Sequence, residues 1–453
     1  MVKRAITLGG GGPAAGLHIG VLEALEAHPD IKFDVWALSC IGAWVGIVYN
    51  QFGDEVEDKK IENKKPENKK LKKNHRAEQT YQFFKDGIFR DDESYERFPI
   101  NRVFGPDWRN NLKALNSFVT NRDNYKDFRW DPYRMMDVFQ SSMELLFDRL
   151  PDTSQKMKFK RLDDGDINNW ILNEAMATNP FVRYFTSMMY LSNVNGLSKI
   201  NYPDSEFMKD IDFEELKKEG KPHIFHNAWN LDAKNLALFS NREMKKKHED
   251  IEYKVPITAS SLCACSALPF IEGTVEIDGV TYCEGALVDT VNFENLLEEH
   301  PNLDEIWVSR IVDSKQIRKP VNLHDSLANL CQLFAATVGE DDVKLFKYHV
   351  RSAKAKHPNL TIVEIRVPSH INFNWNHSNL ENARELGKAV GKQAIKAYYK
   401  HAELKKHPGP HFINENPEVD DKDGWRELCK KRDECVRRAN KQPRGKAADD
   451  QVA

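Results

Sequence analysis

Short apolar runs and helically spaced stretches alternate through the first fifty residues. AITLGG is a brief apolar strand that gives way to glycines. GLHIGVLEALEAH follows, with Leu17, Val21, Leu22 and Leu25 at helical spacing. FDVWALS is a second apolar run ending at Cys40, and IGAWVGIVYNQF beyond it is apolar on nearly every face, as a buried helix is. Residues 1–53 therefore predict a βαβα start, the opening of a sheet covered on both faces.

The pattern breaks at residues 54–76, DEVEDKKIENKKPENKKLKKNHR, where apolar residues almost vanish and ENKK occurs twice. Such a segment cannot bury a face and reads as a solvated, low-complexity insertion. Residues 77–200 are rich in aromatics, as in TYQFFKDGIF and NPFVRYFTSMMYL, with little strand-like alternation, and predict a mostly helical insertion. Its Met and aromatic stripes are core material or the lining of an apolar groove. Sheet-like patterning returns at KPHIFHNAWNL, LALFS, VPITASSLCACSALPFI and TVEIDGVTYCEGALVD, with Asp278-Gly279 as a hairpin turn. DEIWVSRI and LTIVEIRV are strands separated by a long helical stretch, residues 379–405 predict a final helix, and 406–453 is a charged tail. The expected organisation is one α/β domain over 1–405 with insertions at 54–76 and 77–200.

With 453 residues, the chain can hold a large core. Its formal net charge of −3 gives no global reason to expect nucleic acid as a partner. Seven cysteines without a disulfide framework or paired CxxC spacing, and an N-terminus with no apolar signal region, point to a reducing cytoplasmic compartment. There is no run of about eighteen apolar residues, so membrane contact is expected to be peripheral.

Three places carry candidate chemistry. At the turn in VWALSCIGAWVG, a nucleophile between strand and helix needs small neighbours. Counting from Cys40, these are Gly42 and Ala43; counting from Ser39, Ile41 would take the glycine position, so Cys40 is the better fit. Two places before it stands Leu38, where a small residue is expected. The start of the following helix would lower the thiol pKa. The plain alternative is a buried structural cysteine. Second, Gly9 to Gly12 between strand and helix can present backbone N–H groups to an oxyanion. The loop lacks the Gly-Lys-Ser/Thr of a phosphate loop, and no acid follows the second strand as a dinucleotide site would need. Third, Glu284 in TYCEGALVD sits at the end of a strand, where a carboxylate could serve as general base. Asp289 ranks below it, His18 reads as a packing residue, and Cys263, Cys265 and Cys283 lack the spacing of a metal site.

Together and in order, LGGGGPAAGLHIGVL, LSCIGAW and YCEGAL resemble the motifs of the patatin-like phospholipases over most of residues 1–400. That family is marked by a glycine triplet with an arginine loop, a G-x-S-x-G elbow and a late D-G-G or D-G-A. The resemblance implies a three-layer α/β/α fold and a dyad that uses no histidine, metal or cofactor. By position the nucleophile falls on Cys40, the acid on Glu284 and the oxyanion loop on Gly10, Gly11 and Gly12, with Gly42 and Ala43 completing the elbow. The chain departs from the family at Cys40, where the nucleophilic serine falls, at Glu284, where the dyad aspartate falls, at Ala14, where the loop arginine falls, at Ala15, where a glycine falls, and at Leu38, where the first elbow glycine falls. The implied activity is hydrolysis of a lipid ester or thioester through an acyl-enzyme on Cys40. The competing readings are a binding module that has kept the fold and lost the dyad, and a serine lipase inactivated by a Ser-to-Cys replacement.

Overall fold

The computed structural model describes residues 2–53, 76–121 apart from 100 and 104–107, short pieces between 147 and 198, and 202–415 with brief gaps at 246–248, 292, 318, 321–322, 353–356, 358, 368–371 and 403–408. The lysine-rich stretch, apart from Arg76, lies outside the described residues, as do most of the aromatic segment and residues 416–453. The chain forms two compact units, one made of residues 1–105 with 200–453 and the other of 106–199. The first helix of the expected insertion, Arg76–Gly87, belongs to the larger unit. In the smaller unit the described elements are a helix, Trp108–Thr120, and short strands that include the antiparallel pair Phe147–Asp148 and Lys158–Phe159.

The larger unit is built on a ten-stranded sheet. Its strands are β1 (Arg4–Leu8), β2 (Val35–Leu38), β3 (His223–Asn230), β4 (Asn235–Ser240), β5 (Ile251–Lys254), β6 (Val275–Ile277), β7 (Val280–Glu284), β8 (Glu305–Arg310), β9 (Thr361–Arg366) and β10 (His411–Ile413). They run in the order β6-β7-β3-β2-β1-β8-β9-β10, with β4 paired to β3 and β5 to β4. From β3 to β10 the pairing is parallel, while β6, β7 and β4 add antiparallel edges.

Alternation along the strands divides the core. Ile6, Leu8, Trp36, Leu38 and Trp307 face one side, where they meet α1 (Ala15–Glu26), α2 (Ile41–Gln51), α3 (Arg76–Gly87) and, after the chain returns, α6 (His377–Ala402). Ala5, Val35, Ala37, Ile306 and Val308 face the other, against the helix Phe293–Glu299 and α5 (Leu323–Arg351). Burial on both faces gives three layers, α/β/α. Among the described residues, no helix is long and apolar enough to cross a membrane.

Two expectations change. ASSLCAC, read as strand, is the helix α4 (Ala259–Cys265). Thr258 starts it with a reciprocal cap: its hydroxyl accepts from the Ser261 amide at 3.1 Å, and Ser261 Oγ accepts from the Thr258 amide at 3.0 Å. The tail expected from residue 406 contributes β10, which extends the sheet beside β9. The predicted hairpin turn is present, with Asp278 and Gly279 at φ 52° and 78° between the paired Ile277 and Val280.

Candidate active site

The chain leaves β1 toward β2 on one side, and β8 flanks β1 on the other, so the strand order reverses at β1, and the carboxyl ends of these strands are where such a sheet places its site. The three sequence motifs meet there. A Cβ placed on Gly10 would lie 3.2 Å from Cys40 Cβ, 3.4 Å from Ala286 Cβ and 3.7 Å from Glu284 Oε1. A side chain at Gly10 would be in contact with both groups, tightly with Cys40, so the glycine keeps the loop close to them.

Cys40 is the turn residue between β2 and α2, with φ 49° and ψ −126°. A left-handed φ costs a non-glycine residue on the order of 1–2 kcal/mol, and the surroundings hold it in place. The Ser39 amide donates to Leu8 O at 3.0 Å, and the Cys40 amide donates to Cys265 Sγ at 3.0 Å. Gly42 is obligatory: a Cβ there would sit 2.2 Å from Leu8 O. Ala43 is fully buried behind it. Leu38, where the elbow wants a small residue, is accommodated by Gly46 one turn farther along α2. Its methyl carbons occupy the space 2.7 and 2.8 Å from where a Gly46 Cβ would be.

Glu284 ends β7, with its amide donating to Ala267 O at 3.0 Å. Gly285 follows because the chain presses on β3 there, and a Cβ would come within 2.8 Å of the Ala228 backbone. The buried Cys40 thiol and Glu284 carboxylate are neighbours, both bordering Gly10, and each bears on the other's pKa. Burial raises the Glu284 pKa to about 7, and the neighbouring Cys40 thiol offsets only part of that rise. The expectation of a depressed thiol pKa is overturned. Burial, followed by the charges of Glu284 and Cys265, pushes Cys40 well above the ordinary thiol value, and only the Ile41 N–H at its sulfur acts in the other direction. The helix start is present; desolvation outweighs it.

The glycine loop is braced from below. His18, fully buried, donates from Nε2 to Gly9 O at 2.9 Å and accepts at Nδ1 from Ser309 Oγ at 3.0 Å. The carbonyl can only accept, which fixes this tautomer. Burial lowers the ring's pKa to about 4, so it is neutral and serves as a brace. Ile311 and Val312 pack beside Gly11, and Phe373 packs beside Gly12. Among the described residues the amides of Gly10 and Gly11 donate to nothing. Pro13 and Ala14 are buried in a 3-10 turn, so the position of the family's loop arginine carries no charge here.

Some residues at the site escaped the sequence reading. Asn227 on β3 accepts from Ser39 Oγ at 3.0 Å and donates from Nδ2 to Asp289 O at 2.5 Å, joining the elbow to the loop after Glu284. The available signal was an asparagine inside an apolar strand, where that residue is disfavoured. Asp342 on α5 accepts from the Thr290 amide at 2.9 Å. Its pKa is raised to about 7, by burial first and then by the Asp289 charge. Asp289 itself accepts from the Val291 amide at 3.1 Å and so shapes its own loop. Cys263, Cys265 and Cys283 are buried free thiols. Among the described residues no group of three or more His, Cys, Asp or Glu side chains is arranged to hold a metal.

A search of curated proteins found no match. Among solved structures, the chain is similar to VipD from Legionella pneumophila, with 10% identity, a TM-score of 0.32, and coverage of 97% of this chain and 77% of that one. The patatin-like phospholipase family model matches residues 6–297, a span that contains the glycine loop, the elbow and Glu284, and the chain belongs to that family.

Proposed function

We propose that the protein is a lipid acyl hydrolase that works through an acyl-enzyme on Cys40. The meeting of Cys40 and Glu284 at Gly10 carries the reading, because it brings a nucleophile beside a carboxylate with a pKa of about 7. A base titrating near the operating pH is well matched to accept a proton and return it. As Cys40 Sγ bonds to the ester carbon, its proton passes to Glu284, and the amides of Gly10, Gly11 and Gly12 receive the negative oxygen. Collapse breaks the bond to the leaving alcohol, which takes the proton from Glu284. Water then attacks the acyl thioester, with Glu284 again as base, and the thiol is restored. A thioester substrate follows the same course with a thiol as leaving group.

A protonated nucleophile fits this scheme, since thiol and base react as a neighbouring pair and no free thiolate is needed. A lipid substrate is supported by Leu330, Leu333 and Phe334, an exposed apolar stripe on α5. Cys331, within that stripe, is close enough to Glu284 for the carboxylate to raise its pKa, an effect second to that of its own burial.

The test is hydrolysis of a panel of acyl esters, phospholipids and acyl thioesters by the parent protein, Cys40→Ala and Cys40→Ser. Loss of a measurable parental activity by about a thousandfold or more in the alanine variant is expected. Activity only in the serine variant would mean a disabled lipase scaffold. Silence in all three would sink the enzymatic reading.

A further inference from the structure

Helix α5 lies against one face of the sheet for most of its length and leaves it at its first turns. Val343, Phe346 and Val350 pack in the same core as Ala5, Ile306 and Val308. Gly339 stands at the carboxyl end of β8, where a Cβ would lie 3.6 Å from Arg310 Cδ and 3.7 Å from Thr290 Cγ2. Ala336, about one turn nearer the helix start, belongs to the other core, which holds Cys40, Ala286, Ile311 and Val312. The helix thus passes the strand ends toward the dyad and packs on the turn Gly285–Leu287 that follows Glu284.

Gln332 lies about 10 Å beyond Gly339 in that direction, at 1.5 Å per residue, and on the same inward face, since seven residues make nearly two full turns. Its neighbour Cys331 is close enough to Glu284 for the carboxylate to raise the thiol's pKa. Gln332 is 2% exposed, and neither its Oε1 nor its Nε2 has a hydrogen-bond partner. Buried amides are nearly always paired, and an orphaned one costs stability. An amide kept in that state at a dyad is explained by a partner that arrives with the substrate.

We propose that Gln332 contacts the substrate and selects acyl esters that carry a free hydroxyl close to the scissile bond, the chemistry of a partly deacylated lipid. The proposal rests on the acyl hydrolase reading and names its substrate class. The donor count makes the choice. Nε2 donates and Oε1 accepts. Ester and phosphate oxygens only accept, so a fully acylated lipid pairs with Nε2 and leaves Oε1 orphaned. A hydroxyl beside the ester supplies the missing donor. An ammonium also donates, yet taking its charge out of water beside a neutral amide is costly. A site built to hydrogen-bond a hydroxyl rejects the analogue without it far more strongly than an apolar pocket rejects a missing methylene.

The test compares 2-hydroxyethyl octanoate with propyl octanoate, which differ by a hydroxyl in place of a methyl. The parent protein should prefer the hydroxy ester by about a hundredfold or more in kcat/KM. Gln332→Leu, close in shape and without an orphaned amide, should be at least as resistant to urea as the parent and should bring the ratio to about fivefold or less. A parental ratio near one, or the parental ratio kept in Gln332→Leu, would overturn the proposal and leave the amide to water alone. Calorimetric binding of both esters to Cys40→Ala reads the same preference without hydrolysis, so a protein that cleaves neither ester still answers the question. The hydroxy ester should bind about tenfold or more tightly than the propyl ester, and Gln332→Leu in that background should remove the difference. Equal affinities, or binding of neither ester, would overturn the assignment.

Discussion

Beyond the carboxyl ends of β1 and β2, Glu284 is buried against a thiol and a glycine loop, and desolvation keeps its proton on until about pH 7. Before the amino ends of the same strands, Arg242 and Lys32 stand exposed around a cavity, and the neutral His223 and His300 fill the wall behind. One end removes a charge from water and thereby tunes its acidity; the other leaves charges at the surface, where they can attract a counter-charge. The contrast separates an acid whose titration is set by burial from charges that stay in water.

Glu284→Gln is the sharpest way to break that contrast. Hydrolysis should fall by about a hundredfold to ten-thousandfold, since the base is lost. Stability should move the other way. The folded protein holds the Glu284 proton more tightly than the unfolded chain, with a pKa of about 7 against an ordinary 4.5. The carboxyl therefore costs no stability below the unfolded value, and its penalty grows as pH rises through the folded one. At pH 8 the penalty is on the order of 3 kcal/mol, and glutamine removes it. Urea unfolding of parent and variant should give similar stabilities near pH 4 and a more stable variant at pH 8. A difference independent of pH would refute the assigned cause. Arg242→Ala, at the exposed end, should change stability by less than about 0.5 kcal/mol at either pH.

Asn227→Ala should produce a smaller loss. Its amide joins the Ser39 hydroxyl to the Asp289 carbonyl, and its removal leaves both groups buried without this partner. A drop in kcat of about tenfold to a hundredfold is expected, with KM nearly unchanged, because misplacement of the dyad affects the chemical step more than binding. Asn227→Asp restores the acceptor for Ser39 but not the donor, and should recover little. An equal fall in kcat/KM arising wholly from KM would argue for a role in substrate binding.

How far the sequence was legible follows from the same physics. The glycine loop, the elbow and the strand-ending Glu284 could be placed by eye, because each requirement is local: a turn excludes side chains, and a strand end followed by Gly285 sets Glu284 at a turn. Asn227 stands 188 positions from Ser39, and no local pattern announces that pairing. The thiol's acidity was misjudged because a helix start is visible in sequence while burial and the neighbouring Glu284 are not. ASSLCAC looked like strand because its apolar run is short, and short runs do not reveal their period. The cap at Thr258 was the better signal.

Leu38 shows the limit most closely, since it contradicts the local rule and is resolved by a glycine eight positions away. If its side chain fills the space that Gly46 leaves, the two sites must be coupled. Gly46→Ala should cost about 1–3 kcal/mol by overpacking, and Leu38→Ala about 2–5 kcal/mol by the cavity it opens. In the double variant the new methyl enters the emptied space, so the combined cost should fall short of the sum by about 1–2 kcal/mol. Urea denaturation of the four proteins measures this. Strict additivity would mean that the elbow tolerates Leu38 for some other reason, and that Gly46 is glycine by coincidence.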